Sequence, residues 1–184
     1  MNKPKLLLLD TDVIVFANQF GVWDKLKQVY EVHVPATVID TEARFFDSAH
    51  GRRNINLKAE EAAGEISRLE ATAIEVSETF ENFQPTFLAA LHDGEKEGIT
   101  ILKTRRESGM VFCTGDMIAI ESVGMLGLSS SCVSFEELLQ VVGLLKLVSK
   151  FMPHLTKRAH EEHLEKGAIR RTTGECFKKS PLSL

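Results

Sequence analysis

The stretch KLLLLDTDVIVFA, residues 5–17, decides how the rest of the chain is read. Four consecutive leucines, Leu6 to Leu9, leave no polar face, which is the pattern of a strand covered on both sides of a sheet. Two acids, Asp10 and Asp12, follow at once. In open α/β sheets ligands bind outside the carboxyl ends of the strands, so an acid at that place is a site candidate. A lone aspartate there equally serves as a turn or cap residue that satisfies backbone N–H groups. The apolar run is too short to span a bilayer, and nothing near it reads as a signal peptide. A cytoplasmic protein with no membrane partner is the expectation.

Outward from this strand, apolar runs alternate with helical patterns. Asn18 to Tyr30 reads as a helix and Glu31 to Val34 as a strand. Pro35, with no N–H to lose, is placed to start a helix that runs to about Phe46. His50 to Asn56 reads as a polar, basic loop, Leu57 to Thr72 as a helix, and Ile74 to Val76 as a short strand. Glu78 to Thr86 reads as irregular. Helices are expected over about 86–92 and 94–107, a strand over Met110 to Cys113, and a helix over Gly115 to Leu126, closed by Gly127. Ser130 to Val133 reads as a last strand. From Phe135 the pattern is helical, with a break at Pro153 and fraying after Gly167. The alternation predicts an α/β fold in which a five-stranded parallel sheet lies between two helical layers, followed by a C-terminal helical extension.

Composition fits such a fold: 43% hydrophobic and 26% charged residues are enough to build and solvate a real core. The three cysteines, Cys113, Cys132 and Cys176, are an odd number without CxxC spacing and read as buried or neutral residues. The net charge of −4 is unevenly spread: residues 143–184 carry nine Lys/Arg and four Glu, hence +5, and residues 1–142 carry −9. The expected division is a domain over 1–142 and a basic helical extension over 143–184. An acidic body with a basic tail suits a protein that gathers metal in one place and a polyanion in another, and equally a solvated helical tail with no ligand. His160 and His163, within HEEH, have a spacing that binds metal, but in so charged a segment they read as solvated.

Three further acids sit on apolar stripes. Glu42 lies along the stripe of Ala36, Ile39, Ala43 and Phe46. Glu95 shares a face with Ile99 and Leu102, and Asp116 with Ala119 and Val123. Inward carboxylates are costly: two like charges ~4 Å apart repel by roughly 4 kcal/mol at an effective dielectric of about 20. The stripes offer no inward Lys or Arg to pair with them. A divalent cation resolves the conflict, and Mg²⁺ or Mn²⁺ accepts an all-oxygen ligand set. The plainer role of Asp116 and Glu95 is to cap helix N-termini.

Four stretches, LLLLDTDVIVFA (6–17), VPATVIDTEARFF (34–46), HDGEKEGITIL (92–102) and VFCTGDMIAIESVGMLGL (111–128), in their order and spacing, resemble the PIN-domain nucleases. The third is similar to the GE-type segment of one PIN branch. The resemblance covers residues 5–140 and implies Mg²⁺- or Mn²⁺-dependent cleavage of RNA that leaves a 3′-hydroxyl and a 5′-phosphate. It implies a cluster of Asp10, Glu42, Glu95 and Asp116. Of these, Asp10, Glu95 and Asp116 would hold the metal, and Glu42 would orient or deprotonate the attacking water or ligate a second ion. Asp12 and Thr114 would support Asp10, and Asp93 competes with Glu95 as the ligand. Arg44, Arg52 and Arg53 are the candidate contacts to the nucleic-acid backbone. Many proteins of the family are toxins of toxin–antitoxin pairs, which implies an antitoxin-like protein partner, and a homodimer is a further expectation. The chain departs from the pattern at Ile118, where a further acid is common, and in the tail after 143, which a compact toxin lacks. Two rival readings stand: a degenerate fold that binds RNA or protein without catalysis, and a phosphatase of the haloacid dehalogenase type. The latter leaves Glu42 and Glu95 without a role.

Overall fold

The computed structural model describes residues 6–48, 51–105, 109–146 and 153–178. Strand β1 (Leu6–Leu9) leads into α1 (Thr11–Gln19) and α2 (Trp23–Val29), then β2 (Glu31–Pro35). A single π-helical turn (Val38–Glu42) precedes a hairpin of β3 (Phe45–Ser48) and β4 (Gly51–Asn54). There follow α3 (Leu57–Ala62), β5 (Ser67–Leu69), α4 (Ala73–Thr79), α5 (Pro85–Leu88), α6 (Asp93–Thr104) and β6 (Val111–Cys113). The last elements are α7 (Met117–Met125), α8 (Phe135–Val141) and α9 (Lys157–Thr173).

The main sheet has the order β5-β2-β1-β6, with every pairing parallel. Strands β1 and β6 are apolar on both faces because both faces are covered. Leu7, Leu9, Val32 and Val34 join one buried cluster with Val13, Leu26 and Leu139. Leu8 and Phe112 join a second with Ile99, Leu102, Ala119 and Val123. The chain leaves β1 towards β2 on one side and returns as β6 on the other. The crevice at the carboxyl ends of β1 and β6 is therefore the switch point where a site is expected.

Several sequence expectations are corrected. Among the described residues the sheet has four strands, not five. The fifth, expected at Ser130 to Val133, is reduced to a bridge between Phe112 and Cys132. A 3₁₀ turn takes up Ser129–Ser131, and Ser134 opens α8 through a capping box with Glu137, which leaves two residues to extend. The helix expected from Leu57 to Thr72 stops at Ala62. Gly64 turns the chain with a φ of 73°, and Ser67–Leu69 pairs with β2 instead. Ile74 to Val76 lies in α4, not a strand, because Thr72 and Glu75 form a capping box just ahead of it. The basic loop expected over 50–56 contributes Gly51–Asn54 to a hairpin, while its first residue, His50, lies outside the described residues. The helix expected from Pro35 to Phe46 gives way to the π turn and then β3. Gly21, at a φ of 67°, divides the helix expected over 18–30 into α1 and α2. The ends of two further expected helices fall on residues 106–108 and 147–152, outside the described residues.

The tail does not fray after Gly167. Helix α9 continues to Thr173 and lies against α7. Two glycines allow the close approach: a Cβ at Gly124 would lie 3.0 Å from the Cα of Gly167, and a Cβ at Gly167 would collide with the backbone of Glu121. Glu121 is almost fully buried and receives three partners from α9, two of them the cations Lys166 and Arg170 and the third His163. His163 Nδ1 lies 2.8 Å and Lys166 Nζ 2.7 Å from its Oε1, and Arg170 bonds its Oε2. Burial pushes Glu121 up, but Lys166, His163 and Arg170 outweigh it and hold the carboxyl below its ordinary range. The HEEH histidines are therefore not solvated: His160 is buried, and His163 is half-buried on Glu121. Among the described residues no helix is long and apolar enough to cross a membrane. Replacing Gly167 by Ala forces the two helices apart. We expect a loss of about 1–3 kcal/mol, measured as a lower urea midpoint at unchanged slope.

Candidate functional site

The acids gather at the switch point because of how their elements end. Asp10 follows β1 directly, and its backbone N–H donates to Cys113 O at 3.2 Å, extending the β1–β6 pairing by one step. As the residue that caps α1, it accepts the Thr11 N–H at Oδ1 (2.7 Å). Its Oδ2 accepts the hydroxyl of Thr114, just past β6, at 2.8 Å. Thr114 Oγ1 in turn accepts the Asp116 N–H at 3.1 Å, and Asp116 caps α7 by accepting the Ala119 N–H at 2.8 Å. The expected support of Asp10 by Thr114 is thus present as a direct hydrogen bond, and the capping role of Asp116 is real.

Glu42 arrives by a different route. The Ala43 N–H bonds Val38 O at 3.2 Å, five residues back, so the π turn brings Glu42 round one residue later than an α-helix would. Its Oε2 accepts the Thr11 hydroxyl (2.6 Å) and its Oε1 the Gly94 N–H (3.0 Å). Gly94 has to lack a side chain, since a Cβ there would collide with the Glu42 carboxylate and lie 2.9 Å from Val38 Cγ2. Glu95, one residue on, is 6% exposed, and its Oε2 accepts the His92 N–H at 2.8 Å. Asp93 points the other way, exposed and paired with Lys96 at 3.3 Å. Of the two competing acids it is Glu95 that faces the site.

Asp10, Thr11, Asp12, Glu42, His92 and Glu95 line one cavity of about 240 Å³. Asp116 stands close enough to raise both Glu95 and Asp12 electrostatically. Burial, opposed by the Thr114 and Thr11 hydrogen bonds and aided by Asp12 and Glu42, pushes Asp10 up to about 7. Burial together with Asp10 and Asp116, opposed by the His92 amide, pushes Glu95 up to about 8. Desolvation and Asp116 raise Asp12, while His154 and His92 act to lower it. Among the described residues no Lys or Arg pairs with these acids. The donor chemistry, all oxygen and net negative, suits a hard divalent cation. The spacing is not that of a closed coordination shell: among the described residues no three His, Cys, Asp or Glu side chains are grouped tightly enough to hold a metal ion.

The three arginines lie on or beside the hairpin that follows Glu42. Arg44 is exposed and bonds Thr41 O at 3.1 Å. Arg52 lies 3.1 Å from the ring centre of Phe45, itself 43% exposed, and Arg53 pairs with Phe46 across the strands. Sequence reasoning missed Thr11, which links Asp10 to Glu42 through its backbone N–H on the first and its hydroxyl on the second, and His92. The glycine of HDGE was the available signal, because a glycine one residue into a helix marks a close backbone approach. It also missed Glu97, a buried acid held by the amides of Thr37 (2.8 Å) and Ala71 (3.2 Å), which ties α6 to the segment after β2. Compared with known protein families, with curated proteins and with solved structures, the chain finds no match in any of the three.

Because Asp10 and Glu95 bind protons more tightly folded than unfolded, they weaken the metal-free fold as pH rises from roughly 4. The loss levels off above their folded values of about 7 and 8. Asp10→Asn removes one such group. Its stability relative to wild type should therefore rise between pH 5 and pH 7 by up to about 1.4 kcal/mol per unit, as read by urea denaturation at each pH. A gap that stays constant with pH contradicts this account of the site.

Proposed function

We propose that the chain is a divalent-metal-dependent ribonuclease of PIN type, cleaving RNA phosphodiester bonds with a metal-activated water. The observation that carries the reading is the convergence of Asp10, Glu42 and Glu95 from three separate elements on one cavity at the carboxyl end of the sheet, with Asp116 beside them. Two of these carboxyls are pushed to about 7 and 8, chiefly by burial with neighbouring carboxylates adding to it, as in many functional sites. Asp10, Glu95 and Asp116 are the residues that would hold Mg²⁺ or Mn²⁺. When bound, the ion supplies the positive charge that makes water a nucleophile near neutral pH and stabilises the leaving oxygen.

The chain's own residues set the geometry. Thr114 fixes one Asp10 oxygen and the Thr11 amide the other, so the carboxylate plane is set before any ligand arrives. Thr11 and Gly94 hold Glu42 at the edge of the same cavity, where it orients the attacking water and takes its proton. Arg44, Arg52 and Arg53, beside the exposed Phe45 ring, give the RNA backbone and bases a place to lie outside the acids.

A second reading, an RNA-binding module without catalysis, has one observation in its favour. Both Glu42 oxygens are already engaged, and no three ligands are closely grouped among the described residues. Calorimetric titration separates the two, since a pure binding module has no need to take up Mn²⁺. With single-stranded RNA and Mn²⁺, Asp10→Ala and Asp116→Ala should each lower cleavage by about a hundredfold or more while circular dichroism stays that of the wild type. Undiminished cleavage by both variants sinks the assignment.

A further inference from the structure

The segment ahead of α9 reaches the acid site. A 3₁₀ turn, Pro153–Leu155, carries His154 to the neighbourhood of Gly115, between Thr114 and Asp116. A Cβ at Gly115 would lie 3.7 Å from Asp12 Cβ and also 3.7 Å from His154 Cδ2, so the histidine ring and the Asp12 side chain share one small space. The His154 ring also leans on Phe16 of α1, with centroids 6.1 Å apart. Three contacts hold the turn in place. Leu155 is 2% exposed within the core, Thr156 Oγ1 donates to Pro153 O at 2.7 Å, and the Lys157 N–H donates to Glu136 at 2.7 Å. His154 is half-buried and lies beside Asp12 and Gly115.

The acid site poses a problem for its own substrate. Asp10, Asp12, Glu42, Glu95 and Asp116 gather five acidic groups with no Lys or Arg paired to them among the described residues, and a phosphodiester brought to them needs donors at the rim to receive it. His92 lines the acid cavity, and His154 lies next to Asp12 beside Gly115, so both imidazoles stand where they can act on Asp12. An imidazole N–H is a suitable donor to a phosphate oxygen.

We propose that His154 is a substrate-binding residue of the acid site, its imidazole donating to a backbone phosphate of single-stranded RNA beside the scissile bond, so that the C-terminal segment completes the site. This rests on the ribonuclease reading. It assigns the extension a part in binding substrate, as well as its packing on α7.

The test uses the full chain, a single-stranded RNA oligonucleotide and Mn²⁺. His154→Ala should raise KM about tenfold with kcat changed by less than about threefold, the loss of one phosphate contact. Mn²⁺ affinity by calorimetry and the thermal midpoint should stay at wild-type values. His154→Gln, which keeps an N–H donor, should recover most of the loss. Phe16→Leu, which removes the ring under His154 but not the donor, should leave KM within about twofold of wild type. The proposal is overturned if His154→Ala keeps the wild-type KM, if Phe16→Leu reproduces its defect, or if the defect comes with a lower thermal midpoint that His154→Gln does not repair. A wild-type chain that takes up no Mn²⁺ and cleaves no RNA fails the ribonuclease reading, and this inference with it. Cleavage with an indifferent His154 fails this inference alone.

Discussion

The pairing of β1 with β6 is the constraint on which the rest depends. It sets Leu9 beside Cys113 and so delivers the two residues after them, Asp10 and Thr114, side by side at the carboxyl edge of the sheet. The Thr114 hydroxyl then bonds Asp10 and the Asp116 amide at once, and each aspartate starts a helix. Strand pairing, helix capping and the acid site are one set of interactions. Moving the register by a single residue would turn every leucine of β1 to the opposite face and separate the pair.

The chain buries acids in three ways, and the contrast sets the pair at the switch point apart. Glu97 is satisfied by two backbone amides. Glu121 is satisfied by His163, Lys166 and Arg170, which hold its carboxyl below the ordinary range and lock α9 to α7. Asp10 and Glu95 have hydrogen bonds, yet these are outweighed by burial and by neighbouring carboxylates (Asp12 and Glu42 at Asp10, Asp10 and Asp116 at Glu95), and both carboxyls rise. A structural acid is paid for locally. At the switch point burial and neighbouring carboxylates instead push the carboxyls towards the protonated form, which marks them as candidates for a functional site.

Much of the site was legible because its signals are local. An apolar run ending in Asp, a glutamate on an apolar stripe and GD at a helix start each reveal themselves within a few residues. The stripe argument at Glu42 reached a residue that lines the cavity, but through the wrong helix, since a π turn, not an α-helix, carries it. Thr11 and His154 carried no local signal, and His92 only the glycine two residues after it. A threonine after an aspartate and a histidine before a helix are common in any protein, and His154 lies far along the chain from the acids it approaches. Secondary structure failed where pairing overrode periodicity. Ser67–Leu69 sits in a helix-like pattern but is drawn out as a strand by β2, and Ser130–Val133 looks like a strand but is spent on a turn and a cap.

The sequence by itself determined the α/β character, the position of β1, and the identity of Asp10, Glu42, Glu95 and Asp116 as acids in places that disfavour them, because alternation, capping and periodicity act over one or two turns of chain. The tertiary structure alone decided that Asp10, Glu42 and Glu95 share a cavity, that Glu95 rather than Asp93 faces it, and that the sheet has four strands among the described residues. It alone joined the basic tail to the body through Glu121 and brought His154 to the rim of the site. The difference is physical. Local patterns say which face a side chain prefers, whereas the desolvation and repulsion that define a site exist only once distant segments are packed together.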